Sequence, residues 1–290
     1  MQMNPTDEVE SLIAQANALE ARSPERALEL YLAAGVRAPH NLEVHNAMER
    51  LNAPERYSRW MHVNCVIDPR DEIYRFFVEH PLAANPIREY LADGWRTLSE
   101  LMMILESVDR PLARSRSMLE FASGFGRFTR HLARVLPGRV TCSDLQPGSM
   151  EFAREQFGVK GFYSGTEPAS LRFPGEYDVV FVLSMFTHLP PRRWAAWLEA
   201  LFAAVSPGGV LVFSVHNEAH GRELGLSLDG DGTRFLASSE SASLGADAYG
   251  TTFTTRSFVE REVARALPGF AAHYRDTAFW VGQDAVIVEK

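Results

Sequence analysis

From residue 117 onward the chain alternates short apolar runs with amphipathic helical patterns, and this alternation limits the possible folds more than any other feature. The runs SMLEF, RVTCSD, GFYS, YDVVFVLS and GVLVFSV are interleaved with GRFTRHLARVL, SMEFAREQF and PRRWAAWLEALFAAV. YDVVFVLS and GVLVFSV are apolar almost without interruption, as strands covered on both faces are. In PRRWAAWLEALFAAV, Trp194, Trp197, Leu198, Leu201 and Val205 fall on one side of a helix that Ser206-Pro207-Gly208-Gly209 stops. Phe128, Leu132 and Val135 recur at helical spacing, as do Met150, Ala153 and Phe157. Strands alternating with helices predict an α/β fold built on a doubly wound, mainly parallel sheet. TTRSFVEREVARAL reads as a further helix, opened by Thr or Ser caps. The last two strand-like runs, HYRDTAFW and DAVIVEK, are joined by Val281-Gly282-Gln283 and predict an antiparallel pair at one edge.

The preceding stretch is helical instead. Val9, Leu12, Ile13, Ala16 and Leu19 form one apolar stripe; Ala27, Leu30, Tyr31 and Ala34 form a second, ended by Gly35 and Pro39. Ala27, Tyr31, Ala34 and Pro39 also have the spacing of a tetratricopeptide repeat's second helix, but no second copy follows, and an ordinary helical hairpin explains them better. PIREYLADGWRTLSELMMILES places Tyr90, Leu91, Trp95, Leu98 and Leu101 on one side. VDRPLARSR reads as a link, so the expected division is a helical region over 1–110 and an α/β domain over 111–290.

Charge and cysteine usage narrow the partners. The net charge is −8, without the Lys/Arg cluster that phosphate contacts need, so nucleic acid is not an expected partner. The two cysteines, Cys65 and Cys142, lack metal-type spacing and fit a reducing compartment. MQMNPTDEVE is not a signal peptide, and no apolar run approaches the ~18 residues of a membrane span. A cytoplasmic protein without a membrane partner is expected.

The chemistry gathers around LEFASGFGRFTRHLA. The first strand ends at Glu120 and Phe121, so Ala122-Ser123-Gly124-Phe125-Gly126 lies beyond the carboxyl ends of the strands, where open sheets bind ligands. Asp144 ends the second strand, where a carboxylate can accept two hydrogen bonds from a ribose diol. A dinucleotide loop wants a third small residue three positions after its second glycine; Thr129 stands there. Glu120 would repel a pyrophosphate and suits a ligand carrying an ammonium and a sulfonium.

These pieces resemble the class I S-adenosylmethionine-dependent methyltransferases. LEFASGFGRFTRHLA corresponds to the nucleotide loop and VTCSDL to the ribose acid. YDVVFVLSMFTHLP matches the fourth-strand motif, SPGGVLVFSVHN the fifth strand with its preceding turn, and WVGQDAVIVEK the ending; together they span 117–290. The resemblance implies a Rossmann-like sheet of seven strands in the order 3-2-1-4-5-7-6, with strand seven antiparallel. It implies S-adenosylmethionine as cofactor, S-adenosylhomocysteine as product and a small-molecule substrate as acceptor. Cofactor contacts are implied for Glu120, Ala122, Ser123, Gly124, Phe125, Gly126, Asp144, Leu145, Ser184 and Met185. Ala122 replaces the first glycine of the motif. The adenine-contacting acid is not evident in YSGTEPASLRF, which leaves Thr166 or Glu167 for that place.

His216 ends the fifth strand beside Asn217, where a neutral imidazole can take the proton of an attacking hydroxyl. His188 in MFTHLP is the second candidate base; both also fit the role of a turn-packing histidine. These histidines make oxygen the expected methylated atom. Asp229-Gly230-Asp231-Gly232 has the look of a calcium loop, but Arg234 occupies the sixth position that needs glycine, so a polar turn is expected. The stretch 218–250, rich in Gly, Ser and Asp and closed by the aromatics Tyr249 and Phe253, reads as a lid insertion. The rival reading is a non-catalytic or regulatory cofactor-binding protein whose N-terminal helices recruit a protein partner.

Overall fold

Near-continuous apolar runs need cover on both faces, and the chain supplies it with helices before and between its strands. The computed structural model describes residues 5–80, 83–238, 244–245 and 248–290. Two compact units emerge, Met1–Ala92 and Asp93–Lys290.

In the first unit, helices α1 (Pro5–Leu19), α2 (Pro24–Arg37) and α3 (Leu42–Arg50) close around Ile13, Ala16, Ala27, Tyr31, Ala34, Val44 and Ala47. Tyr31 is fully buried, and its hydroxyl donates to Glu20 Oε2 at 2.7 Å. Helix α2 does not stop at Gly35 but continues to Arg37. A Cβ at Gly35 would make an ordinary contact, 3.4 Å from Val44 Cγ1. Two further helices, α4 (Ser58–Met61) and α5 (Glu72–Glu79), follow. The Asp71 carboxylate caps α5 at the Ile73 and Tyr74 amides.

Helix α6 (Pro86–Ser107) runs through the unit boundary, and its later turns belong to the second unit. There the strands are β1 (Met118–Phe121), β2 (Val140–Asp144), β3 (Lys160–Tyr163), β4 (Tyr177–Val182), β5 (Val205–Asn217), β6 (Thr233–Leu236), β7 (Thr251–Thr254), β8 (Ala272–Phe279) and β9 (Gln283–Glu289). The order β3-β2-β1-β4-β5 is parallel throughout. Strand β9 then joins β5 antiparallel over residues 210–215, and β8 pairs outside β9. With β9 as the seventh strand and β8 as the sixth, this is the expected order 3-2-1-4-5-7-6.

Alternate strand residues feed two cores. Leu98, Leu101, Ile104 and Leu105 of α6 pack with Leu132 of α7 (Thr129–Val135) and Met150 of α8 (Ser149–Phe157) against Met118, Val140, Val179, Phe181 and Val212. On the other face Trp194, Trp197, Leu198 and Leu201 of α9 (Trp194–Ala203) meet Leu119, Phe121, Val180, Phe213 and Val286. Trp95 departs from the expected stripe: it is 57% exposed, while Tyr90, Leu91, Leu98 and Leu101 are buried. Val135, in the last turn of α7, is also exposed.

The stretch 218–250 contains regular structure. Helix α10 (Glu218–Glu223) follows β5 directly, capped by the Asn217 side chain on the His220 amide. Strands β6 and β7 form an antiparallel hairpin, and β7 pairs with the end of β5 at His216 and Asn217. Residues 239–243 and 246–247 of this stretch lie outside the described residues. Helix α11 (Arg256–Ala266), capped by Thr255, leads to β8. Among the described residues, no helix is long and apolar enough to cross a membrane.

Candidate active site

The carboxyl ends of β1, β2, β4 and β5 bring the sequence-selected residues to one end of the sheet. Ala122 turns the chain out of β1 with φ +61°, a left-handed conformation that costs a residue with a Cβ about 1–2 kcal/mol. Ser123 donates its amide to the Ser143 carbonyl at 3.1 Å. Gly124 (φ +56°) and Gly126 (φ +82°) complete the turn. The Gly124 amide donates to Asp144 Oδ2 at 2.7 Å, and the Gln146 amide to Asp144 Oδ1 at 2.8 Å, so the β2 carboxylate ties the loop to the neighbouring strand. Phe125 is buried against Phe152. Leu145, half-buried, follows Asp144.

Glu120 points to the α7 side of the sheet, where Thr129 Oγ1 donates to its Oε2 at 2.7 Å. Thr129, standing where a dinucleotide loop has a small residue, is therefore a hydrogen-bond donor to the buried acid. Burial pushes the Glu120 carboxyl up to about 8, and the nearby Asp144 charge adds to the effect. A Glu120 this deeply buried ionises readily only when a positive charge reaches it.

Gly124 provides a direct test of cofactor fit. A Cβ there would meet nothing within 4 Å, so the loop offers open backbone on that side. At Gly126 a Cβ would come 2.5 Å from Phe157 Cε2, so this glycine is needed for packing behind the loop. Open backbone flanked by two acids suits a cationic nucleoside and disfavours a pyrophosphate.

Beyond β4, Ser184 also holds a left-handed conformation, φ +60°. Its amide donates to Ser214 Oγ at 2.8 Å, and Gln283 Nε2 donates to its hydroxyl at 3.0 Å. Sequence spacing points to neither Ser214 nor Gln283; each becomes visible only when β4, β5 and β9 are side by side. Met185 is buried next to it. Thr166 and Glu167 lie after β3, where the Arg193 guanidinium binds the Thr166 carbonyl and, at 2.9 Å, Glu167 Oε1.

His188 and His216 are buried with ring centroids 6.4 Å apart. His188 stacks on Tyr249 at 4.6 Å, and His216 on Phe253 at 5.2 Å. His188 Nδ1 lies 2.7 Å from the Gly250 carbonyl, which can only accept, so in the neutral ring Nδ1 carries the hydrogen and Nε2 the lone pair. Gly250 and Thr252 amides donate to the His188 and Thr187 carbonyls at 2.9 and 2.7 Å. A Cβ at Gly250 would overlap the Leu236 carbonyl, so glycine is required for this seat. Asp229 accepts from the Asp231 and Thr233 amides in the turn that leads into β6, as a polar turn does. Among the described residues no group of three or more His, Cys, Asp or Glu could hold a metal ion.

A family profile described as a methyltransferase domain matches residues 118–209, the stretch from β1 into β5. The match and the sheet order agree with the class I methyltransferase resemblance. Solved structures share its fold at low identity. A 1,6-didemethyltoxoflavin-N1-methyltransferase from Burkholderia thailandensis is 16% identical, with a TM-score of 0.50 over 76% of this chain and 87% of that one. Magnesium protoporphyrin IX methyltransferase from Synechocystis is 14% identical, with a TM-score of 0.49 over 76% and 93%. An amino pentose methyltransferase from Micromonospora echinaspora is 17% identical, with a TM-score of 0.47 over 66% and 90%. No curated protein sequence matches the chain. In the second unit, β6, β7 and α10 are additions to the seven strands 3-2-1-4-5-7-6.

Proposed function

We propose that this protein transfers the methyl group of S-adenosylmethionine to an oxygen of a small-molecule acceptor. The observation that carries the reading is the loop 122–126: left-handed glycines with open backbone at Gly124, Asp144 at its side and Glu120 beneath it. The cofactor, when bound, supplies a methyl on a sulfonium, so transfer needs alignment and exclusion of water more than covalent help from protein.

The residues that would hold it are Gly124 and Gly126 toward the amino-acid part, Asp144 at the ribose, Glu120 toward positive charge, and Ser184 and Met185 near the nucleoside. Ser123, Phe125 and Leu145 shape the same wall; Ala122 does so with a methyl in place of hydrogen. Thr166 or Glu167 would face adenine, with Arg193 holding that loop. His188 and His216 are the proposed proton acceptors for a hydroxyl. The Gly250 hydrogen bond supports His188 by giving it a defined basic atom, Nε2. The small-molecule acceptor is supported by the hairpin, whose Tyr249 and Phe253 put aromatic rings against both histidines.

Calorimetric titration with S-adenosylmethionine and, separately, with NAD tests the cofactor. Saturable binding of the first and none of the second is expected; binding of NAD alone refutes the reading. Transfer of labelled methyl to extracted small molecules then tests the enzyme, and alkali-labile or phenol-ether products test oxygen against nitrogen.

A further inference from the structure

We propose that Asp93 and Gly94 of α6 are positioning residues that hold the loop 122–126 in its cofactor-binding shape through Arg127. The inference rests on the cofactor reading above but concerns residues outside the loop and its motif.

Gly94 sits inside a helix, where glycine is less favourable than alanine. The structure supplies the reason. A Cβ at position 94 would overlap the Arg127 carbonyl oxygen and lie 2.8 Å from His131 Cδ2. Helix α6 therefore touches the backbone of the residue directly after Gly126. One residue earlier, the Asp93 carboxylate pairs with the Arg127 guanidinium, and both side chains are nearly buried, 11% and 12% exposed. The same guanidinium lies over the Trp280 ring, 5.9 Å from its centroid, in the turn between β8 and β9. Arg127 is thus fixed by backbone contact, by charge and by an aromatic face.

This matters because of what the loop lacks. Ala122, Gly124 and Gly126 all have positive φ, and the open side of Gly124 has no protein atom to support it. From behind, Phe157 fills the space at Gly126, and Arg130 Nε donates to the Gly126 carbonyl at 3.2 Å. Ser143 and Asp144 hold the Ser123 and Gly124 amides from β2, and Arg127 anchors the end of the loop beyond Gly126. Taking away one member of a buried ion pair leaves the other charge uncompensated, so Arg127 would leave its seat and the loop would lose its fixed end.

The test is calorimetric titration of S-adenosylhomocysteine into the full chain and into Asp93→Asn, Asp93→Glu, Arg127→Gln, the Asp93→Asn/Arg127→Gln double variant and Gly94→Ala, with circular dichroism of each. Expected are Kd values raised about tenfold or more in Asp93→Asn and Arg127→Gln. The double variant binds no worse than the weaker single one, because Asp93 acts through Arg127, and Asp93→Glu recovers part of the affinity. Gly94→Ala binds weakly despite its better helix propensity; if it does not fold, the Asp93→Asn result decides. A Kd for Asp93→Asn within twofold of wild type, or fully additive losses in the double variant, overturns the proposal while leaving the cofactor reading intact. Wild-type protein that fails to bind S-adenosylhomocysteine overturns that reading and this proposal together.

Discussion

Glu120→Gln replaces a buried carboxyl that accepts from Thr129 with an amide of the same shape, and its effect on stability can be worked out from the structure. Burial first, then the Asp144 charge, holds the folded-state carboxyl at about 8, against an ordinary value of 4.5. Between those values the native chain keeps a proton that the unfolded chain has released. The unfolded state then binds fewer protons, so native stability falls as pH rises, by up to tenfold in the folding constant per pH unit. Below 4.5 both states are protonated and the difference vanishes; above 8 both are ionised and the cost is complete. From pH 5.5 to 7.5 the loss amounts to about a hundredfold, or about 3 kcal/mol. The substituted amide cannot titrate, so urea unfolding at the two pH values should show wild type losing about 3 kcal/mol relative to the variant. Parallel pH profiles within about 0.5 kcal/mol would show that Glu120 is ionised in the native state and that its burial is compensated. A cationic cofactor also makes this proton leave: at pH 7, titration of wild type in buffers of different ionisation enthalpy should show uptake by buffer of up to one proton, and Glu120→Gln none.

Three further outcomes are expected. Asp144→Ala should weaken cofactor binding by ~1–3 kcal/mol, the scale of a lost hydrogen bond to a charged group, and unchanged affinity in the titration would remove Asp144 from the site. Ala122→Gly relieves a left-handed alanine and should raise the urea midpoint by up to about 1 kcal/mol of stability; a lower midpoint would show that the methyl packs better than its backbone strain costs. If a histidine is the base, His188→Ala or His216→Ala should reduce turnover by roughly 10²–10⁴-fold with cofactor affinity nearly kept. Full turnover in both variants would mean that the acceptor arrives already nucleophilic.

Much of the sheet is legible in the sequence because burial on two faces leaves a strong signature: YDVVFVLS and GVLVFSV can hardly be anything but interior strands. Trp194, Trp197, Leu198 and Leu201 are likewise readable, since α9 has one partner face. The loop 122–126 is legible through spacing, because Glu120, Gly124 and Asp144 meet across adjacent strands in register. The start of α7 is not: the helix begins at Thr129, and Gly126, Arg127 and Phe128 form a turn before it. Helices α3 and α5 carry readable caps in Asn41 and Asp71, but their apolar stripes are too short to stand out. The β6–β7 hairpin escapes because TRFL and TTFT are four-residue strands whose partners are each other and the far end of β5. Pairs such as Asp93 with Arg127, or Gln283 with Ser184, are distant in sequence and follow no spacing rule.

Strand β7 and the glycine before it bind their surroundings through peptide groups and side chains alike: the Gly250 and Thr252 amides donate to the His188 and Thr187 carbonyls, β7 pairs with His216 and Asn217 of β5 and with β6, and the Thr252 and Thr254 hydroxyls donate to the Leu189 and His216 carbonyls. A frame held by hydroxyls and stacked rings as well as by backbone hydrogen bonds depends on the side chains it carries. Exchanges at Tyr249, Gly250, Thr252, Phe253 or Thr254 therefore disturb the seats of both histidines, and the room for change in this hairpin lies at exposed positions such as Arg234.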